Sequence, residues 1–497
     1  MVLKHIREII LICMISILFP NKVYVALQML DQVGVMYLDS YQLDDVIQIN
    51  FNEGINCSSF NSEMDCSMMD GCEWMMGMCM DSEDSCTDII DQMNCSMMDG
   101  CEWMMGMCMD SGGGMDMGNH TPHFIAIDET NGYWFVSTIA SGFIARYDLE
   151  TDELIDKIFV DDSPAILTLN EQLQKLYCSR MMPMGGMMEG AESTIIQEID
   201  YSGSMLVTSN EFTIPSPAPH GISINSDGSE VYVASNTADW LYKIMPGTGE
   251  IEGVVMDESI SNPQNIITQR LKPIQCESVS DSLLFVTCSG GIWVDPWTGI
   301  QEQISGKVQM WDSESLSLID EFEFDWSSTP WHLVKSPIDN IVYVVLSGDQ
   351  LYPYSSGVAS LSYNADGFQM NWFTNDTEFQ SLHGIDISAD GNKVYVSGRG
   401  DGHLHVINAN NGELINSIPL STNPQMVMAG GVAVSKLDEN LLGDINNDNV
   451  IDILDIVLIV NYILGNIDYF DSIDADLNYD GIIDIVDILL VVNIIMP

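Results

Sequence analysis

The chain is short of positive charge. Of its 497 residues, 15 are Lys or Arg and 73 are Asp or Glu, a formal net charge of −58. That balance repels nucleic acid and anionic membranes and favours cations, which sets the nucleic-acid-binding classes aside. Self-repulsion at this density also calls for a salty or divalent-rich medium to screen it. Histidine is scarce, with 8 in all. After the first residues no apolar run is long enough to span a membrane. No CxxC pair is present, which weakens a zinc reading of the cysteines. A nucleophile elbow and a phosphate loop are both missing. Carboxylates are too abundant for one acid–base pair to stand out, and a Ser-His-Asp set cannot be inferred from spacing.

What is present begins with an export signal. "MVLKHIREIILICMISILFPNKVYVA" has a basic start (Lys4, Arg7), an apolar run from Ile9 to Phe19 and a small-residue exit at Ala26. Residues 1–26 therefore read as a secretory signal, with a secreted or cell-surface protein beyond it. Export permits disulfides. "CSMMDGCEWMMGMCMDS" begins at Cys66 and recurs letter for letter at Cys95. With Cys57 and Cys86, each copy holds four cysteines spaced C-x8-C-x5-C-x6-C. Residues 53–111 thus read as two disulfide-rich Cys/Met modules, with three pairings open within each copy. Their methionines are apolar fill for a tiny core, or soft ligands for copper(I). Residues 112–119 form a Gly-rich linker.

From 120 to 437 the texture is short β-branched and aromatic runs separated by turn signals such as "SDGSE" and "ADGNK". The units align: "GISINSDGSEVYVASN" from Gly221 matches "GIDISADGNKVYVSGR" from Gly384. These repeats resemble YVTN-type β-propellers, and the resemblance implies a mainly-β, seven-bladed propeller over residues 120–437. Blade openings are expected at Pro122, Pro164, Pro219, Pro263, Pro330, Leu382–His383 and Pro424. Too little chain follows Pro424 to finish a blade. Residues 27–52, chiefly Val35 to Phe51, are expected to supply outer strands that close blade seven and remove an open edge.

Near the C-terminus, "GDINNDNVIDILDIVLIVNYILG" sets acidic and amide side chains before an apolar helix. Counting Asp444 as one, oxygen ligands fall at Asp444, Asn446, Asp448, the Val450 carbonyl, Asp452 and Asp455. A second copy gives Asp476, Asn478, Asp480, the Ile482 carbonyl, Asp484 and Asp487. This is EF-hand calcium spacing, with Asp rather than Glu at position twelve. Paired loops of this kind, each followed by one helix, resemble type I dockerin over residues 441–497. That resemblance implies two calcium ions and a cohesin-like partner or cell-surface scaffold. Positions ten and eleven, which bear on partner choice in that family, are Ile453–Leu454 and Ile485–Val486 here, where cellulosomal members often have hydroxyl residues.

Of the remaining histidines, His123, His220 and His383 share the blade-opening position, His332 is one residue from it, and His120 and His403 lie near the same face. They mark a propeller-face ligand or metal site. Imidazole and the thioethers of "RMMPMGGMMEG" on one face would suit copper. A wide channel mouth, with blades one, three and six not adjacent, argues for a ligand-binding rim over one mononuclear ion. The reading is an exported, non-enzymatic binding and assembly protein. The alternatives are a copper-binding or redox propeller and a polysaccharide-active enzyme carrying a dockerin.

Overall fold

A computed structural model describes residues 21–51 except 39, the strands 72–75, 78–81, 101–104 and 107–110, then 120–182 except 162, 194–348 and 356–436. Beyond these it describes 443, 445, 451, 453–465, 475, 477 and 482–495. The apolar run of the export signal, the side chains of Cys57 to Cys108, and the loop residues Asp444, Asn446, Asp448, Val450, Asp452, Asp476, Asn478 and Asp480 lie outside the described residues. The chain divides into two units, Met1–Val434 and Ser435–Pro497.

The first unit is a propeller of seven four-stranded antiparallel sheets among the described residues. The second strands are buried along almost their whole length, as in Tyr133–Thr138, Leu283–Cys288 and Ile341–Leu346. Val231–Ser235 and Lys393–Gly398 carry the V-Y-V core of these strands. Asp-Gly turns precede these strands, and Gly228 and Gly391 adopt φ of +73° and +70°, which only glycine accepts without strain. Blade four bears an extra hairpin, Gly291–Val294 with Gln301–Ile304.

A left-handed residue opens six blades: Thr121, Ala218, Lys272, Thr329, Ser381 and Met428 have φ between +46° and +52°. A register shift then follows in the innermost strand, as between Pro122 and Ile125 or Leu382 and Ile385. Together they turn the chain sharply into the axis. Hydroxyls on second strands fasten neighbouring blades. Ser179 Oγ donates to the His220 carbonyl at 2.7 Å and accepts the Ile166 N–H at 3.2 Å. Ser137 and Thr287 repeat this towards Ala165 and Trp331.

Two blade openings differ from the sequence reading. Blade four starts at Pro273, not Pro263, because a turn-rich segment intervenes before Pro273–Ser280. Pro424 lies in a short 3-10 helix, Pro424–Met426, and the innermost strand of blade seven is Ala429–Val434.

Blade seven joins the two chain ends. Its order runs Ala429–Val434, Lys22–Leu27, Gln32–Tyr37 and Asp45–Gln48 from axis to rim. Three strands thus come from the N-terminal segment. The expected signal exit at Ala26 falls inside the first of these strands. Lys22–Leu27 is buried throughout, and Ala26 is an inward core residue at 0% exposure. A cut after Ala26 would remove the strand that meets Ala429–Val434. The same strand is tied to blade one: Lys22 Nζ, Tyr24 OH and Trp134 Nε1 all donate to the Asp152 carboxylate, at 2.7, 2.8 and 3.1 Å. Tyr24 also stacks on Trp134, ring centroids 5.1 Å apart.

Cys276 and Cys288 are both free. They sit on neighbouring strands but out of register, opposite Val286 and Pro273 respectively. Cys178 is free and buried. Burial pushes the Cys276 thiol up to about 12, so it is inert as a nucleophile.

The second unit contains two helices, α1 (Ile453–Ile463) and α2 (Ile485–Ile495). Their inner faces bury Ile459 and Val491 with Ile445, Ala475 and Leu477 in one small core.

Candidate functional site

Two groups of residues stand out. The first lies on the propeller axis. At four blade openings an aromatic side chain follows directly on the turn: His123, His220, Trp331 and His383. His332 comes one residue later, because Trp331 occupies the position that the others give to histidine.

Glycine sets how close these rings come. A Cβ on Gly221 would lie 2.6 Å from the Cys276 nitrogen, and one on Gly384 would lie 2.5 Å from the Gly430 carbonyl oxygen. Only bare backbone lets one innermost strand approach the next so closely. The His-Gly pairs therefore narrow the channel.

The rings converge across it. Centroids are 4.9 Å apart for His332 and His383, 5.6 Å for His123 and His383, and 6.4 Å for His123 and His220. Trp331 lies 5.5 Å from His383. The expectation that blades one, three and six hold their histidines apart is thereby corrected. His120 is elsewhere: its ring packs on Phe51 at 4.6 Å, and its N–H donates to Asp31. His403 pairs with Asp401 and stacks on His405 in blade six.

Two hydrogen bonds assign protons in the cluster. His220 Nδ1 lies 2.6 Å from the Ile274 carbonyl, so that nitrogen carries the hydrogen and donates. The Gln28 amide nitrogen lies 2.9 Å from His123 Nδ1 and donates to its lone pair. His123 then carries its own hydrogen on Nε2. That atom, His332 Nε2, His383 Nδ1 and Trp331 Nε1 are buried without a hydrogen-bond partner.

Burial is the largest influence on all four imidazoles and holds them below the ordinary histidine range, His332 as low as about 3. The Arg399 charge adds to this at His123 and His383. The folded protein thus refuses protons that the unfolded chain takes up below about pH 6.5. Stability should be intact above that pH and fall as pH drops through it, by up to about 1.4 kcal/mol per histidine per pH unit. Melting temperatures measured from pH 7 to pH 5 should decline, and His332→Gln should flatten the decline. An unchanged profile in that variant would remove the cluster as the cause.

Arg399, just after the second strand of blade six, was not marked by any motif. Its guanidinium makes no hydrogen bond and no ion pair among the described residues, and its own desolvation lowers its pKa. Its neighbours in type behave otherwise. Arg146 is paired with Asp156, Arg270 with Asp257 and Arg180 with Glu211.

No three His, Cys, Asp or Glu among the described residues form a group able to hold a metal ion. In this arrangement the His123 lone pair on Nδ1 is taken by the Gln28 amide.

The second group belongs to the C-terminal unit. Asp455 and Asp487, at position twelve of the two loop repeats, lie in the first turn of the helices and are 0% exposed. Asp455 Oδ1 accepts the Ile445 N–H at 2.7 Å, and Asp487 Oδ2 accepts the Asp484 N–H at 2.8 Å. Residues 437–497 contain no Lys, Arg or His. Lys436 is the unit's one basic residue against its many carboxylates, and an all-oxygen donor set suits a hard divalent cation. Outside, the helices expose an apolar face: Ile453, Leu454 and Val457 on α1, and Ile485, Val486 and Leu489 on α2.

Comparison with known proteins agrees with this division. Residues 442–496 match the dockerin type I domain family. No curated protein matches the chain. Among solved structures, a functionally unknown protein from Desulfotomaculum acetoxidans superposes with a TM-score of 0.54 at 11% identity, covering 84% of this chain and 100% of that one. Hydrazine synthase from Kuenenia stuttgartiensis gives a TM-score of 0.49 at 14% identity, covering 66% of this chain and 99% of that one. The β-propeller domain of Myceliophteria thermophila Cps50 (Swd1) gives 0.47 at 10% identity, covering 65% and 94% respectively. These likenesses show the fold alone.

Proposed function

We propose that the protein is an exported, non-enzymatic binding and assembly component. Its dockerin fastens it to a cohesin-type partner in the presence of calcium, and its propeller presents a ligand site at one end of the axis. The observation that carries this is the joint occurrence, within residues 442–496, of the dockerin match, two buried position-twelve carboxylates and an exposed two-helix apolar face. The carboxylates supply a reason for calcium; the face supplies a reason for a partner. Leu454 and Val486 stand at position eleven of their loops and are 53% and 44% exposed, so apolar contact should dominate the docking.

The export part rests on the basic and apolar N-terminal sequence. A leader, if removed, must be cut before Lys22 to leave blade seven whole.

The test is capture of the full chain on a panel of immobilised type I cohesin domains. Retention by at least one cohesin in calcium, and release by a chelator, is expected. Leu454→Asp with Val486→Asp should abolish retention while leaving the helix content in calcium unchanged. Retention by none of them, or retention indifferent to chelator, would reject the tether.

A further inference from the structure

The axial cluster holds an excess of unused hydrogen-bond donors. His123 Nε2–H and Trp331 Nε1–H are buried without acceptors. Arg399, whose backbone N–H donates to the Ser381 carbonyl two residues before His383, carries five more N–H groups and no carboxylate among the described residues. In a chain with 73 acidic residues, leaving a largely desolvated guanidinium without one is the anomaly. A part-buried cation without a carboxylate and orphaned buried donors are each costly, so their joint survival in one cluster calls for a group that satisfies both.

The geometry points to the cluster of Trp331, His123, His332 and His383, with Arg399 at its edge, as a binding site for a small molecule bearing an oxyanion, a carboxylate or a sulfate. The oxyanion accepts from the Arg399 guanidinium, which offers two parallel N–H bonds, and from the Trp331 indole. His123 Nε2–H adds a third donor. His332 Nε2 and His383 Nδ1 can each take the donor or acceptor role, because their tautomers are not fixed by other partners. The Trp331 face supplies an apolar wall for the rest of the molecule. A cation is refused by the same groups, since Arg399 repels it and His123 has no free lone pair to offer.

This assignment rests on the reading of the propeller as a binding module and is independent of the tether. The test uses the full calcium-loaded chain without any cohesin, so its failure leaves the dockerin reading standing. Sodium sulfate and sodium glucuronate are titrated separately by calorimetry, against sodium chloride at matched ionic strength. Saturable binding of at least one of them near one equivalent is expected. Arg399→Gln and, separately, His383→Ala should weaken it about tenfold to a hundredfold. Without anion, Arg399→Gln should melt at or above the wild-type temperature, which a structural arginine would not do. It also keeps the test decisive if His383→Ala fails to fold. The assignment is overturned if neither anion binds saturably, or if Arg399→Gln binds as the wild type does. Stoichiometric copper or zinc that survives dialysis and is lost in His383→Ala would also overturn it.

Discussion

Chelating calcium should melt the C-terminal unit while the propeller stays folded. Asp455 and Asp487 are fully buried carboxylates in a segment without a single basic residue. With an ion bound, their charge is compensated and α1 can close on α2 through Ile459 and Val491. Without it, closing the small core means burying two carboxylates in a unit with a single basic residue, at a cost of several kcal/mol each. A core of this size has no such reserve. Binding to the folded form alone at a thousandfold excess over the dissociation constant adds about 4 kcal/mol. Far-ultraviolet circular dichroism of the full chain should therefore lose its helical component on chelation and regain it with calcium. Asp455→Ala and Asp487→Ala should each weaken the calcium response by more than tenfold, since each removes a ligand that also holds a backbone N–H. Helix signal indifferent to chelator would exclude the ion from the fold.

Beginning the chain at Gln28 rather than Asn21 should prevent the propeller from folding. The shorter chain lacks Val23, Tyr24, Val25, Ala26 and Leu27, each at most 1% exposed. Together they represent about 10 kcal/mol of apolar burial, comparable to the net stability of a whole domain. Asp152 would lose the Lys22 and Tyr24 partners, and Ala429–Val434 its strand neighbour. Soluble yield and thermal melting of the two chains decide the matter: melting points within a few degrees would show that the clasp contributes little.

The propeller was legible because its signal is repeated. Short β-branched and aromatic runs punctuated by turn residues recur at each blade, and V-Y-V marks the second strand of four of them, so individual ambiguities averaged out. Lys22–Leu27 was hidden by its neighbourhood. "KVYVAL" follows the apolar run of a leader and contains a small residue, so a buried strand passed for the end of a signal. Periodicity does not distinguish the two, and only the pairing with Ala429–Val434 does.

The histidines were legible as positions and not as a cluster. Sequence placed His123, His220 and His383 on different blades; the bulges and the bare backbones of Gly221 and Gly384 draw them together. Trp331 was missed because attention fell on the histidine beside it. Arg399 carries no motif, and its isolation emerges only once the partners of the other cations are known. The calcium ligands were the reverse case: their spacing is local, so sequence sufficed to propose them, while the burial of Asp455 and Asp487 required the packed helices.

The clasp in blade seven has a consequence for how the molecule is made. A ribosome releases Lys22–Leu27 before any complete blade and Ala429–Val434 after the other six. The early strand must wait, unpaired on its inner side, until the last one emerges. Loop closure over nearly the whole propeller makes that pairing slow, and an unfinished ring keeps a raw strand edge that invites proteases and other chains. A chain that ends anywhere before Ala429 can never seal. The joint therefore ties closure of the ring to the synthesis of its last strand, Ala429–Val434.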